Sequence, residues 1–231
     1  MNYVPPPSIQ IRHTNDVANN GVKTLVYAPS GAGKTTLCAT APRPIVLSAE
    51  NGLLSIKAAN IPYIQVDSIQ MLGAAYTYFA ANQDGGQYWT ICLDSVSDIA
   101  EQILAFEMKN NKDPRKAYGE MAMQVMQILR DFRGLNRRHV VFTAKQGRFV
   151  DQSTGLTLWG PMMPGQQLDQ QLPYMFDEVF QLVVGKTNEG QTFRALRTGR
   201  DNQNEAKDRS GLLDPWELPN LSHIFDKIMK G

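Results

Sequence analysis

Eight residues between an apolar run and a helix-like segment carry the most distinctive chemistry in this sequence. Ala28-Pro29-Ser30-Gly31-Ala32-Gly33-Lys34-Thr35 follows the buried-strand run Thr24–Ala28 and precedes a predicted helix from about Gly33 to Thr40, stopped before Pro42. The octapeptide matches the phosphate-binding pattern G-x-x-x-x-G-K-[ST], with Ala28 at the first glycine, where a small residue suffices. In such a loop the backbone N–H groups turn inward onto phosphate oxygens. Gly31 and Gly33 let the backbone approach without a Cβ clash. Lys34 carries charge to the β- and γ-phosphates, Thr35 offers a hydroxyl to Mg²⁺, and Thr36 lies near the α-phosphate. Pro29, Ser30 and Ala32 complete the cradle.

Such a site needs an acid to help hold the metal. Trp89–Leu93 is an apolar run ending in Asp94, the pattern that places a carboxylate at a strand end to bind Mg²⁺ through water, opposite Thr35. A guanine-specific N-K-x-D loop after a late strand is missing: Asn111-Lys112-Asp113 has the wrong spacing, and Thr143-Ala144-Lys145-Gln146 lacks the Asp. The nucleotide expected is therefore ATP.

The elements that must position these residues form a repeating grammar. Ile45–Ser48, Tyr63–Val66, Trp89–Leu93 and Val140–Thr143 are further short apolar runs. Ser68 is placed to cap a helix through Ala81, and Asp84-Gly85-Gly86 reads as the turn that closes it. Between the fourth and fifth runs lie about 45 residues of helical pattern. There Met121, Val125, Ile128, Leu129, Phe132 and Leu135 share one face. Strands alternating with helices imply an α/β fold, a mostly parallel sheet covered on both faces. Glu178–Val184 and Thr192–Thr198 flank Gly185–Gln191 as a C-terminal antiparallel hairpin, and Leu221–Met229 reads as a final helix. Residues 1–22 read as a tail or lead-in strand, and 23–231 as a single domain.

Composition excludes several classes. The 231 residues are 42% hydrophobic and 19% charged, with a formal net charge of +1, which is ordinary for a globular chain and unlike a disordered one. No run reaches the ~18 apolar residues of a membrane span. The N-terminus lacks the basic and apolar regions of a secretory signal. Cys38 and Cys92 are too few for a disulfide framework and read as buried small hydrophobes. His13, His139 and His223 have no ligand spacing. Cytoplasmic location is the expectation.

A carboxylate one strand after the phosphate loop narrows the reading. Ile45–Ser48 runs into Ala49-Glu50, and LSAENGL (47–53) resembles the segment of RecA-like ATPases that carries the general base. ICLDSVSDI (91–99) resembles their metal-binding strand end. With LVYAPSGAGKTTL (25–37), VVFTAKQGR (140–148), LPYMFDEVFQL (172–182) and AKDRSGLL (206–213), the chain resembles phage-encoded short RecA/RadA-like ATPases of the Sak type, linked to single-strand annealing and recombination. The resemblance implies a RecA-like core and Glu50 as the base. It implies a γ-phosphate sensor at Lys145 or Gln146, and a DNA-binding loop within Gly147–Gln167, with Arg148, Phe149 and Trp159 as contacts. The same segment also reads as a plain β-hairpin turning at Ser153-Thr154-Gly155. Lys207 and Arg209 resemble the pair that reaches a neighbouring subunit's γ-phosphate, or they form a solvated charge run. Arg194, Arg197 and Arg200 are alternatives for that role, and Arg194 also reads as a solvent-facing strand residue.

The near-zero charge hides an uneven distribution. Residues 109–148 carry ten basic and three acidic groups. Arg130, Arg133, Arg137 and Arg138 lie in this stretch and are candidate contacts to single-stranded DNA, unless they form a solvated helix face. The expected activity is Mg-dependent ATP hydrolysis, stimulated by single-stranded DNA, in a homo-oligomeric ring or filament. A nucleotide-switched loader that binds a single-strand-binding or replication protein is the alternative, and a small-molecule phosphotransferase the weaker one.

Overall fold

The computed structural model describes residue 13 and residues 20–50, 52–82, 86–151 and 154–231, with the backbone alone at 166, 167 and 170. Most of the 1–22 segment, most of the Asp84-Gly85-Gly86 turn and Ser153 lie outside the described residues.

The five apolar runs become parallel strands. They are β1 (Lys23–Ala28), β2 (Pro44–Ser48), β3 (Tyr63–Gln65), β4 (Thr90–Asp94) and β5 (His139–Val150). Between them run α1 (Lys34–Cys38), a 3₁₀ helix (Leu53–Ala59), α2 (Ile69–Ala81), α3 (Val96–Asn110) and α4 (Pro114–Arg133). The C-terminal part adds β6 (Thr157–Met162), α5 (Gln166–Met175), β7 (Glu178–Lys186), β8 (Thr192–Arg197), β9 (Lys207–Asp208), β10 (Trp216–Glu217) and α6 (Leu221–Lys230). One sheet takes the order β10-β8-β7-β1-β5-β4-β2-β3, with β6 added to β5 and β9 to β7. The strands from β7 to β3 are parallel. The β7–β8 hairpin and β10 are antiparallel. This is the α/β phosphate-loop architecture expected, with its C-terminal hairpin.

Strand periodicity explains the two cores. Leu25 and Tyr27 face one side, with Leu47, Leu93 and Phe142, under α2 to α5. Val26 and Ala28 face the other, with Val46, Cys92 and Val141, under α1, the 3₁₀ helix and α6. Side chains alternate across a strand, so a strand buried on both faces reads as a continuous apolar run. Cys38 and Cys92 are buried in the second core. Helix starts follow local capping chemistry. Ser68, Ser95, Asp113 and Asn220 each accept a backbone N–H of the following first turn, which satisfies donors a helix cannot satisfy internally.

Two elements differ from expectation. Helix α1 is five residues long, because Thr40 turns back onto Leu37 and Ala41 onto Cys38 before Pro42. Strand β5 runs on from Thr143 to Val150. Its pairing with β1 ends at Lys145, and there β6 takes over antiparallel, Lys145 opposite Met162 through Val150 opposite Thr157. The segment from Gly147 to Met162 is thus largely a β-hairpin, one of the two readings the sequence allowed.

The arginines of the basic stretch divide. Arg130 and Arg137 are exposed, and Arg133 is half-buried. Arg138 is 2% exposed. Its guanidinium donates to the Tyr88 and Asn82 carbonyls and lies over the Phe79 ring. A DNA phosphate cannot reach it there, which corrects its assignment as a DNA contact. Arg138→Met should lower stability by about 1–3 kcal/mol by removing the guanidinium's hydrogen bonds to the Tyr88 and Asn82 carbonyls, read as a shift in denaturant midpoint.

Candidate functional site

Four parallel strands bring the chemical residues to one end of the sheet, at the strands' C-termini. The β1 strand ends at Ala28, and the chain enters the loop with positive φ at Gly31 (74°) and Gly33 (107°), a conformation that favours glycine. The loop opens into a cleft of about 920 Å³ lined by Ser30, Lys34, Thr35, Glu50, Lys145 and Arg194 among others. Lys34 Nζ rests on the carbonyls of Ala28 (3.2 Å) and Pro29 (3.4 Å). Pro29, Ser30, Gly31 and Thr36 are exposed on the loop and Ala32 is buried beneath it.

Thr35 and Asp94 meet although 59 positions separate them: Thr35 Oγ1 donates to Asp94 Oδ2 at 2.6 Å. The β1 and β4 strands are not neighbours, since β5 lies between them. That position gives β5 a part in the site. Its Thr143, opposite Val26, donates to the other Asp94 oxygen. One carboxylate and one hydroxyl form an oxygen-only donor pair. Such a set suits a small hard cation that keeps waters and takes phosphate oxygens, rather than a closed protein cage. Among the described residues no cluster of three His, Cys, Asp or Glu is placed to hold a metal.

Glu50 lies two residues beyond Ser48, which pairs with Asp94. Ser48 Oγ donates to the Glu50 carbonyl, and Gln102 Nε2 to the Ala49 carbonyl at 3.2 Å. The Glu50 carboxyl shares a hydrogen bond with Asp98. That bond, then burial, then the charges of Asp98 and Asp94, raise its pKa to about 7. Asp98 moves the other way: burial pushes it up, but hydrogen bonds from Glu50, Lys145 and Ser95 outweigh this and lower it. The opposite shifts favour a proton held between the two carboxyls on the Glu50 side.

Lys145 and Gln146 both line the cleft. Lys145 is tied to Asp98 (2.8 Å) and Glu101 (2.7 Å), and its backbone N–H donates to Ser97 Oγ. Gln146 accepts from Gln181 Nε2 at 3.4 Å. On the β5–β6 hairpin Arg148 is exposed, and its guanidinium lies 4.2 Å from the Trp159 ring centroid. Phe149 and Trp159 are half-buried. The Trp159 backbone is clipped to Gln203 and Glu205.

Lys207 and Arg209 sit at the opposite end of the sheet. The β9 strand pairs with the start of β7, and Glu178 there lies level with Thr24 at the start of β1. Lys207 donates to the Pro173 carbonyl, and Arg209 pairs with Asp177 at 3.0 Å. Neither reaches the phosphate loop. Arg197 is paired with Asp201, and Arg200 with Asp151 and Glu205. Arg194 instead approaches the loop: its Nε donates to the Ala32 carbonyl at 2.9 Å.

Three contributors escaped the sequence reading, Asp98, Thr143 and Ser97, while Arg194, one of the alternatives to Lys207 and Arg209, is turned onto the phosphate loop. Asp98 carried a faint signal, one helical turn beyond Asp94. Thr143 had one as a polar ending to an apolar strand.

The AAA domain family profile matches residues 20–210. No curated protein matches the chain. Among solved structures, an ATPase from the type III secretion system of pathogenic bacteria aligns at 15% identity and a TM-score of 0.49, covering 81% of this chain and 61% of that one. A KaiC-like protein from the hyperthermophilic archaeon Pyrococcus horikoshii OT3 aligns at 12% identity and a TM-score of 0.43, covering 81% and 83%. This chain therefore spans less than two thirds of the first structure's length.

Proposed function

The chain belongs to the AAA domain family, and from that premise we propose that it is a Mg-dependent ATPase acting on single-stranded DNA in recombination or annealing. One observation carries the reading. Lys34, Thr35 and Glu50 line one cleft, and Asp94 joins them through Thr35 at 2.6 Å, so three separate segments meet there. That is the minimum set for phosphoryl transfer to water: a cation for the phosphates, a metal seat and a base.

The roles follow from the geometry. The loop N–H groups hold the phosphate chain, and Lys34 exchanges its carbonyl contacts for phosphate oxygens. Thr35 and Asp94 would hold magnesium, which supplies charge neutralisation at the β- and γ-phosphates when bound. Glu50, in its carboxylate form, takes a proton from water as that oxygen bonds to the γ-phosphorus and the bond to the ADP oxygen breaks. Asp98 receives a hydrogen bond from the protonated Glu50 and so stabilises the product of that transfer. Lys145, anchored by two carboxylates, keeps Asp98 in place.

The DNA part rests on Arg148 and Trp159. An exposed guanidinium over an indole offers a cation for a phosphate and a π-face for a base, and stacking contributes about 1–3 kcal/mol per base. Arg130, Arg133 and Arg137 lie near the opposite end of the sheet, where Lys23 Nζ donates to the Leu135 and Arg138 carbonyls. They do not extend the hairpin surface. The subunit arrangement proposed is a homo-oligomer, in which Lys207 and Arg209 would face a neighbour.

The test is ATP turnover at low salt with and without single-stranded DNA, on the wild type and on Arg148→Ala/Trp159→Ala. Stimulation that the double variant loses supports the reading. Turnover indifferent to DNA in the wild type, with no ATP-dependent DNA binding, overturns the DNA part. A stoichiometric protein partner in that case would favour the loader. Among the described residues no helix is long and apolar enough to cross a membrane.

A further inference from the structure

The cleft contains a cation that the roles above leave unused. Three basic side chains line it: Lys34, Lys145 and Arg194. Lys145 is neutralised by Asp98 and Glu101 at 2.8 and 2.7 Å. Lys34 then faces several phosphate charges in a cleft that also holds Glu50 and Asp98. Arg194 makes no ion pair among the described residues, and its one hydrogen bond goes from Nε to the Ala32 carbonyl.

The geometry points to Arg194 as a phosphate-chain ligand acting within its own subunit, holding the loop with Nε and phosphate oxygens with its Nη groups. Strand topology delivers it. The β8 strand pairs with β7, and β7 with β1, so Arg194, opposite Val184, is held two strands from the loop strand. A Cβ on Gly33 would lie 3.4 Å from Arg194 Nε, so the guanidinium rests against the loop backbone. Guanidinium is a rigid fork with five N–H donors. One is committed to Ala32, and the others suit two phosphate oxygens at once. The side chain is exposed at the cleft rim, where an incoming anion meets it without first displacing a carboxylate. The contact also links nucleotide occupancy to the β7–β8 hairpin, because one side chain bridges the two.

This inference rests on the phosphate-site reading above, and the experiment separates the two. Binding of ATP, ADP and inorganic pyrophosphate is measured by calorimetry over a range of salt, for the wild type, Arg194→Ala and Arg194→Lys. A lost charged hydrogen bond corresponds to a roughly ten- to hundred-fold weaker affinity. Arg194→Ala should show that loss for both ATP and pyrophosphate, with a shallower salt dependence and an unchanged melting temperature without ligand. Arg194→Lys should recover part of the affinity, since it keeps charge without the fork. Mixing Arg194→Ala with Lys34→Ala protein should restore nothing, and restoration would overturn assignment within one subunit. An Arg194→Ala protein that binds pyrophosphate like the wild type, or weakens with unaltered salt dependence, would overturn the phosphate contact. A wild type that binds neither ATP nor pyrophosphate would instead sink the phosphate-site reading itself.

Discussion

Glu50→Gln binds ATP as tightly as the wild type and hydrolyses it about 10²- to 10⁴-fold more slowly, the range a positioned general base contributes. The substitution tests chemistry rather than packing. The raised Glu50 and lowered Asp98 favour a proton held on Glu50 and directed at Asp98. A glutamine amide N–H reproduces that donation at nearly the same shape, so the loop and cleft keep their arrangement. What it cannot do is accept a proton from water. Single-turnover hydrolysis and equilibrium ATP binding, measured on the same preparation, separate the two effects. Normal turnover by Glu50→Gln would remove Glu50 from the base's role.

The same proton gives the prediction a pH signature. Glu50 is raised to about 7 in the folded protein from an ordinary 4.5, so the folded state binds more protons than the unfolded chain between these values. Stability therefore falls as pH rises from about 4.5 to 7, and the loss is complete above 7. The catalytic carboxylate appears over the upper part of the same window. Wild-type turnover should rise with pH up to about 7 and then level off, while the contribution of Glu50 to the melting temperature declines. Glu50→Gln should lose the contribution of this group to that decline. A wild-type rate that is flat from pH 5.5 to 8 would contradict the shared proton.

How much of this was legible in the sequence depended on the range of the interaction. The octapeptide, the apolar strand before it and Asp94 at a strand end are local patterns, and the P-loop and the strands on either side are where those patterns placed them. The β7–β8 hairpin was legible for the same reason. Glu50–Asp98, Asp94–Thr143 and Arg194–Ala32 were not. Each joins segments whose proximity depends on strand order, and nothing in the local pattern says that β5 lies between β1 and β4. Arg138 failed for a related reason. It sits in a run of basic residues that reads as surface, yet the turn into β5 tucks it under Tyr88 and Asn82. A charge run reports composition, while burial depends on which neighbours supply carbonyls. The hairpin after β5 was legible as one of two alternatives, but its continuity with Val140–Thr143 was not, because the strand changes partner from parallel β1 to antiparallel β6.

Lys34→Ala should fail one step earlier than Glu50→Gln, at nucleotide binding. Among the described residues Lys34 Nζ donates to carbonyls of its own loop, at 3.2 and 3.4 Å. These contacts are long and easily exchanged for charged phosphate oxygens. Removing one charged donor weakens binding by about 1.5–3 kcal/mol, roughly ten- to hundred-fold in Kd. The rate should fall further than the affinity, because the same charge faces the transferring group as negative charge develops there. The fold should survive, since Lys34 is half-buried and belongs to neither apolar core. Calorimetry with ATP, paired with a melting curve without ligand, checks both halves: affinity falls while the ligand-free melting temperature stays within a degree or two of the wild type. A protein that melts normally and still binds and hydrolyses ATP at the wild-type level would mean that the octapeptide is only a turn. One that loses hydrolysis but keeps binding would place Lys34 with the developing charge rather than with the ground-state phosphates. Those outcomes differ from the Arg194 series, in which binding weakens while Lys34 remains to support turnover at saturating ATP.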